Sequence, residues 1–250
     1  MDKNTILKTI NKINKLGNIT FQWSKPIIDD KYLNKKKYIY DVKGYGIYDS
    51  KAENRFCLLI ELPNNKNKKG VLSTLLVNPA NTFPADIVKK KNLKSRFDQT
   101  IRNLIVLANA IGYSQIIVIN TFPYIESNSK VANEYYKKNK SNNEFFKLNF
   151  ELVEKILNSS NEILVACGDS IDSNLYSDYF EIIKKIKKNN INTKLFTYAK
   201  QDTQDCKALV NGKPRHLNLQ AANNRKQYNK ALADKKLCEL DIIDNCFQLK

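Results

Sequence analysis

Four continuous apolar segments alternate with amphipathic helical segments between residues 70 and 199. The apolar segments lack the alternating polarity of a half-exposed strand, which is typical of strands that helices cover on both faces. Regular alternation of strand and helix favours a parallel sheet between layers of helices. The predicted strands are residues 70–80, 114–122, 161–169 and 193–199, and the predicted helices between them are residues 98–113, 143–160 and 175–190. We therefore expect an α/β fold, a three-layer sandwich around a mostly parallel four-stranded central sheet.

The chain before residue 70 has a different pattern. An amphipathic helix and two strands are predicted there, at residues 5–16, 37–49 and 54–63. We expect residues 1–69 to form an N-terminal extension, with a small antiparallel addition at one edge of the sheet, that packs on the core. Residues 70–250 then form the α/β domain, which ends in a helix after residue 221 and a short apolar segment.

The charge of the chain indicates the class of partner. Lysine and arginine number 42 against 25 aspartates and glutamates, so the formal net charge is +17. Such an excess favours a polyanionic partner, and nucleic acid above all. The alternative is that the lysines reflect a general Lys and Asn bias and form ordinary solvated surfaces. We expect DNA as the partner, and no obligatory protein partner is evident.

Several other classes of protein are disfavoured by composition. No apolar run reaches the roughly 18 residues of a membrane-spanning helix, and the N-terminal segment lacks the features of a signal peptide. The five cysteines are scattered without a C-x-x-C motif, which argues against a zinc site or a disulfide framework and suits a reducing compartment. No phosphate-binding G-x-x-x-x-G-K-[ST] loop is present. We expect a cytoplasmic protein with no metal, no cofactor and no membrane association.

Candidate site residues follow the predicted strands. In open parallel sheets, ligands bind beyond the carboxyl ends of the strands. Asn78 and Asn120 lie at the ends of the first two strands, Asp169 ends the third, and His216 lies in the segment after the fourth. His216 is the sole histidine, and therefore the group best suited to exchange a proton near neutral pH.

Several candidate site residues also have a purely structural interpretation. Asn78 and Asn120 are suited to turns at strand ends, and Phe122 to the core. Asp98 has the position of a helix N-cap, and Arg102 is four residues later, where it could pair with Asp98. The sequence alone leaves these alternatives open.

Five motifs resemble, in order and spacing, those of the bacterial domain-of-unknown-function family 1643. They are "VNPA" (77–80), "DQTIR" (98–102), "GY" (112–113), "NTF" (120–122) and "GKPRHL" (212–217), within a resemblance that covers roughly residues 70–220. The family implies a small α/β domain without assigned chemistry.

The order of motifs is also similar to that of the uracil-DNA glycosylase superfamily. This resemblance implies a glycosylase-like fold in which Asn78 positions the attacking water, Asn120 reads the flipped base, and His216 donates to the departing base. Ala80 replaces the tyrosine that excludes substituted pyrimidines in the uracil enzymes, so the resemblance implies a modified and bulky base. The His-Pro-Ser-Pro loop of that superfamily is absent, since Leu217 and Asn218 follow the histidine.

We therefore expect a DNA glycosylase that flips and excises a modified pyrimidine and leaves an abasic site, with a role in defence against phages. The expected catalytic residues are Asn78 and His216, with Asp98 and Asp169 as candidate bases. The expected base-binding residues are Pro79, Ala80, Phe83, Asn120 and Phe122, and the expected DNA-binding residues are Arg102, Lys213, Arg215 and Asn218. The alternatives are a nucleotide- or nucleoside-processing hydrolase on the same fold and a non-catalytic nucleic-acid-binding module.

Overall fold

A computed structural model describes most of the chain. The described residues are 1–17, 19–28, 42–62, 69–79, 82, 97–168, 171–198, 200–202, 205–207, 209–214, 217 and 237–250. Within them the helices are α1 (Lys3–Ile13), α2 (Gln99–Ile111), α3 (Ser129–Asn139), α4 (Glu144–Asn158) and α5 (Ser173–Asn189). The strands of the main sheet are β1 (Lys43–Tyr48), β2 (Arg55–Glu61), β3 (Lys69–Leu76), β4 (Tyr113–Asn120), β5 (Glu162–Val165), β6 (Lys194–Tyr198), β11 (Leu237–Ile243) and β12 (Cys246–Leu249). Two short ribbons pair β7 (Lys200–Asp202) with β8 (Asp205–Lys207) and β9 (Leu209–Val210) with β10 (Lys213–Pro214).

The expectation of a four-stranded, mostly parallel central sheet is wrong. Eight strands form one mixed sheet in the order β1-β2-β4-β3-β5-β6-β11-β12. The pairings among β4, β3, β5 and β6 are parallel, and the other four pairings are antiparallel. The difference arises because strands from outside the strand–helix alternation extend both edges. The β1–β2 hairpin joins through β2 and β4, and the β11–β12 hairpin joins through β11 and β6.

The sheet separates two hydrophobic clusters. Along β4, Ile116 and Val118 pack in one cluster while Ile117 and Ile119 pack in the other, as expected for side chains that alternate across a sheet. One cluster includes the apolar side of α2, and we call this side of the sheet the α2 face. The other cluster includes buried residues of α1, α3, α4 and α5. We call the side of the sheet on which it lies the α4 face.

Local sequence fixes where α2 begins and ends. The Asp98 side chain accepts a hydrogen bond from the Ile101 amide at 3.0 Å and so caps the N-terminus. Gly112, at φ 103°, ends the helix in the left-handed conformation that glycine tolerates best. Because β4 begins immediately after this turn, α2 runs back along the sheet. Its N-terminus therefore lies at the end of the sheet where β3, β4 and β5 have their carboxyl ends. We call this end, which runs across the strands, the carboxyl edge.

Two regions of the fold differ from the predicted elements. Helix α3 was not predicted, although Ala132 and Tyr136 bury one side of it at helical spacing. The apolar end of the chain is a hairpin, with Asp244 and Asn245 at φ 49° and 58° between β11 and β12. The predicted helix after residue 221 falls on residues 221–236, which lie outside the described part of the chain.

Candidate functional site

The ends of β3 and β4 lie side by side at the carboxyl edge. Leu76 pairs with Asn120 in the parallel register of the two strands. Beyond the strands, the Thr121 amide donates to the Leu76 carbonyl at 2.9 Å, and the Phe122 amide donates to the Val77 carbonyl at 3.3 Å. The backbones that carry Asn78 and Asn120 are therefore held next to one another.

Asn78 is half-buried, and its amide nitrogen is occupied. Nδ2 donates to the Glu126 carbonyl at 2.6 Å and to the Pro79 carbonyl at 3.3 Å. The Glu126 amide donates to the same Pro79 carbonyl at 3.1 Å, which ties the two loops together. No described residue donates to Oδ1 of Asn78. The side chain is thus fixed through its nitrogen and offers its oxygen as an acceptor.

Asn120 differs from Asn78 because its side-chain nitrogen, Nδ2, has no hydrogen-bond partner in the described structure. Its side chain is 1% exposed. Because Ile116 and Val118 pack on the α2 face, the alternation of β4 directs Asn120 to the same face. The backbone carbonyl of Asn120 is occupied on the α4 side, where it accepts from Nδ2 of Asn149 at 2.9 Å.

Arg55 is a candidate site residue that the sequence did not reveal. It begins β2, is only 1% exposed, and donates from Nη1 to the Thr82 carbonyl at a long 3.5 Å. Its Nε has no hydrogen-bond partner in the described structure. The Arg55 amide donates to the Pro123 carbonyl at 2.9 Å, so this residue also belongs to the carboxyl edge. The available sequence signal was an arginine directly before the apolar run "FCLLI".

Thr82 connects Arg55 to the start of α2. Its carbonyl accepts from the Tyr48 hydroxyl at 2.9 Å as well as from Arg55, and its hydroxyl donates to Oδ2 of Asp98 at 2.7 Å. Oδ1 of Asp98 caps α2, so both carboxylate oxygens hold structural hydrogen bonds. Asp98 therefore has the contacts of a helix cap. Arg102 lies half-buried one turn further along α2.

Phe122 lies in the core rather than at a ligand surface. Its side chain is 0% exposed on the α4 face, and its ring centroid lies 5.1 Å from that of Tyr136 and 5.8 Å from that of Phe146. The ring is enclosed by other aromatic rings, so it offers no free surface on which a base could stack. Pro79, beside Asn78, is also buried.

Two described residues near the C-terminal end of β10, Pro214 and Leu217, form hydrogen bonds at the carboxyl edge. The Pro214 carbonyl accepts from the Gly168 amide, just beyond β5, at 2.8 Å. The Leu217 carbonyl accepts from Nδ2 of Asn103, on α2, at 2.6 Å, and the Leu217 side chain is buried. Lys213 places Nζ 4.7 Å from the centroid of the Tyr176 ring.

The remaining predicted site residues lie outside the described part of the chain. They are Ala80, Phe83, Asp169, Arg215, His216 and Asn218. Pro214 and Leu217 precede and follow the Arg215-His216 pair in the sequence.

Within the described residues, no group of histidine, cysteine, aspartate and glutamate side chains has the arrangement of a metal site. None of the described helices combines the length and apolar character that crossing a bilayer requires.

Comparison with known proteins gives one result. No curated protein and no solved structure matches the chain significantly. Residues 89–216, just over half of the chain, match the family described as "Protein of unknown function (DUF1643)". The matched interval contains α2, Asn120 and the Pro214–Leu217 region as far as His216, whereas Arg55 and Asn78 precede it. This chain therefore belongs to the DUF1643 family.

Proposed function

We propose that this protein is a DNA glycosylase that flips a modified pyrimidine out of DNA and hydrolyses its N-glycosyl bond, leaving an abasic site. The observation that carries the proposal is the complementary pair of amides at the ends of β3 and β4. Asn78 offers an acceptor oxygen, while Asn120 offers unpaired N–H donors. A site that orients a water and recognises a base needs groups of both kinds.

In this proposal Asn120 reads the flipped base. A buried amide without a partner costs about 1–3 kcal/mol, so its retention favours a ligand that completes its hydrogen bonds. The N–H donors of Nδ2 suit a carbonyl oxygen or an acceptor nitrogen on the polar edge of a pyrimidine. Reading of that edge after base flipping is the usual way in which such enzymes recognise their target.

Asn78 orients the attacking water. Oδ1 accepts a hydrogen bond from the water, and this bond directs a lone pair of the water oxygen towards C1′ of the sugar. An amide cannot remove the proton of the water, so Asn78 is a positioning group rather than a base. In the overall reaction the hydroxyl of the water adds to C1′, the electron pair of the N-glycosyl bond leaves with the base, and the base gains a proton.

The departing base carries the negative charge of the reaction. We assign His216, with Arg215, the role of stabilising this charge, because preorganised donors act most strongly where charge develops. The anchoring of Pro214 and Leu217 near β5 and α2 supports this assignment. The likeness in motif order to the uracil-DNA glycosylase superfamily supports it as well.

Asp98 and Asp169 differ in how well they suit the role of a general base. Both oxygens of Asp98 already accept hydrogen bonds from the Ile101 amide and the Thr82 hydroxyl, which disfavours it as a base. Asp169 remains the candidate if the water needs deprotonation.

The presence of Ala80, where the uracil enzymes have a tyrosine, is the reason to propose that the excised base is bulky. A methyl side chain in place of a tyrosine leaves room for a bulky substituent on the pyrimidine ring. Phages are one source of DNA with such bases, which is the reason to propose a role in defence. The net charge of +17 supports DNA as the partner, and its binding should weaken steeply with added salt.

Base release from defined DNAs tests the proposal. Unmodified DNA, uracil-containing DNA and hypermodified phage DNA are incubated with the protein, and alkali then converts abasic sites into strand breaks. We expect breaks with the hypermodified DNA alone. Asn78→Ala should lower the rate by about 100-fold or more, while Asn189→Ala, at the far end of α5, should leave it unchanged.

The other outcomes identify the alternative functions. DNA binding without strand breaks would favour a non-catalytic nucleic-acid-binding module. Release of base from free nucleosides or nucleotides, but not from DNA, would favour a small-molecule hydrolase. Equal loss of binding and cleavage in Asn78→Ala would contradict the role given to Asn78.

A further inference from the structure

Two buried nitrogen donors stand out among the side chains of the described residues. Within this part of the chain, Nε of Arg55 and Nδ2 of Asn120 are the only buried side-chain nitrogens without a hydrogen-bond partner. The other unsatisfied atoms are oxygens. Both nitrogens belong to the carboxyl edge. Their coincidence at one edge indicates a missing acceptor rather than scattered packing defects.

The backbone fixes the position of Arg55. It pairs with Tyr48 of β1 on one side, and its amide donates to the Pro123 carbonyl on the other at 2.9 Å. Pro123 is three residues beyond Asn120 along the continuation of β4. The guanidinium reaches Thr82, which is hydrogen-bonded to Asp98 at the start of α2. Arg55 thus extends towards the α2 face, where Asn120 also projects.

The charge of Arg55 is not balanced by the described residues. A guanidinium keeps its charge in a folded protein, and Arg55 forms no ion pair with a described carboxylate. Asp98 is committed to Thr82 and Ile101. Asp49, close in sequence, accepts from the amides of Glu53 and Asn54, each at 2.8 Å.

The neighbouring thiol does not balance the charge either. Burial raises the pKa of Cys57 to about 12, although the charge of Arg55 opposes this rise. The thiol is therefore neutral at physiological pH. A buried cation without a counter-charge is strongly unfavourable, so an anion from outside the described residues is the natural complement.

We infer that Nε of Arg55, together with one of the two N–H groups of Asn120 Nδ2, forms an internal binding site for a phosphate oxyanion of a nucleotide unit, while the second N–H of Asn120 remains available to the base. The planar guanidinium can offer Nε and an Nη in parallel to two oxygens of one phosphate, which a carbonyl ligand could not use. Phosphate is also the anion that a chain of charge +17 concentrates when it binds nucleic acid. The inference goes beyond the proposed function, since it requires a nucleotide phosphate but not base excision.

Ligand-dependent thermal stability tests the site with three probes. Inorganic phosphate, thymidine 5′-monophosphate and a short single-stranded oligonucleotide are each compared with sodium chloride at equal ionic strength, and thymidine serves as the uncharged control. We expect the wild type to gain several degrees in Tm with at least one phosphate-bearing probe and less with thymidine. A response to the mononucleotide assigns a phosphomonoester site, whereas a response to the oligonucleotide alone assigns a phosphodiester site.

Arg55→Met removes the charge while keeping an apolar stem. We expect this variant to melt no lower than the wild type in chloride and to lose the phosphate-dependent gain in Tm. Lys8→Met removes one charge from α1, on the α4 face, and should keep the full gain. If Arg55→Met does not fold, Arg55→Lys keeps the charge without the planar fork and should retain a reduced gain.

Two results would overturn the inference. One is a phosphate response that is equal in the wild type, Arg55→Met and Lys8→Met, which would reflect general charge screening. The other is the absence of any response to the three probes in the wild type. A wild-type protein that releases no base from any of the DNAs but shows the Arg55-dependent phosphate response would contradict the glycosylase proposal and support the phosphate site.

Discussion

The two faces of the sheet differ most at the carboxyl end of β4. On the α4 face, Phe122 is enclosed by aromatic rings, and Nδ2 of Asn149 donates to the carbonyls of Asn120 and Thr121 at 2.9 and 3.1 Å. Oδ1 of Asn149 has no partner among the described residues, so this face carries one unsatisfied acceptor. On the α2 face, Nδ2 of Asn120 and Nε of Arg55 lack acceptors within the same part of the chain. The unsatisfied nitrogen donors of the carboxyl edge therefore lie on the side of β4 opposite the aromatic cluster around Phe122.

This difference separates structural groups from candidate ligand-binding groups. Each unsatisfied buried donor costs about 1–3 kcal/mol, and more when it is charged. Natural proteins retain such costs mainly where function requires them. The α2 face of the carboxyl edge is accordingly the place where we expect a ligand, while the α4 face holds this edge in shape.

The largest expected effect on stability lies on the α4 face. Phe122→Ala should lower the free energy of unfolding by about 3–5 kcal/mol, because it leaves a cavity among aromatic rings. Urea unfolding measures this loss. A loss below about 1 kcal/mol, accompanied by weaker DNA binding, would mean that Phe122 contacts a ligand.

A pair of asparagines compares the two faces directly. Asn149→Ala should cost about 2–3 kcal/mol, because it leaves two buried backbone carbonyls without their donor. Asn120→Ala should cost less than about 1 kcal/mol in the absence of ligand, because its Nδ2 has no bond to lose. Urea unfolding of both variants makes the comparison, and equal losses would remove the distinction between the faces.

Asp98 tests whether a predicted catalytic carboxylate is structural. Asp98→Ala should cost about 1–2 kcal/mol through loss of the α2 cap and the bond from Thr82. Asp98→Asn retains a capping oxygen, so it should keep base release within about tenfold of the wild type. A much larger loss of rate in a stably folded Asp98→Asn protein would restore Asp98 as the general base.

The smallest effect concerns Asp172, which caps α5. The hydrogen bond from Lys137 lowers the pKa of this carboxyl, and amide donors of the helix add to the effect. Because the pKa of Asp172 is lower in the folded than in the unfolded state, its ionised form stabilises the fold at pH values above the ordinary pKa of an aspartate. This stabilisation is lost as the pH falls through the folded-state pKa. Asp172→Ala should therefore cost about 1 kcal/mol at pH 7 and progressively less below about pH 4. Unfolding curves across that range measure the difference, which a pH-independent cost would contradict.

Much of the fold could be predicted from local patterns. The apolar runs that became β3 to β6 and the helices α2, α4 and α5 have the spacing of buried strands and amphipathic helices. The extension of the sheet by β11 and β12 could not be predicted in this way, because the pairing of β11 with β6 depends on contacts between distant segments. The hairpin of β11 and β12 had a usable signal, since Asp244-Asn245 is a residue pair suited to the positive φ angles of a two-residue loop.

The site was predicted less completely than the fold. Asn78 and Asn120 could be selected because they follow apolar strands whose carboxyl ends share one edge. Arg55 could not, because Tyr48, Thr82 and the loop after β4 bury it, and all of them come from other parts of the chain. Phe122 was misleading for a related reason, since its position in the sequence does not reveal which face of the sheet its ring enters.

Side-chain nitrogen resonances test the central contrast most directly. Only five arginines are present, so the Nε–H signal of Arg55 can be assigned in a ¹⁵N-labelled protein by comparison with Arg55→Lys. On addition of thymidine 5′-monophosphate or an abasic-site duplex, we predict that the Arg55 Nε–H and Asn120 Nδ2–H signals shift while the Asn149 Nδ2–H signals remain in place. A ligand that shifts the Nδ2–H signals of Asn149 but leaves the Arg55 Nε–H and Asn120 Nδ2–H signals unchanged would contradict the account.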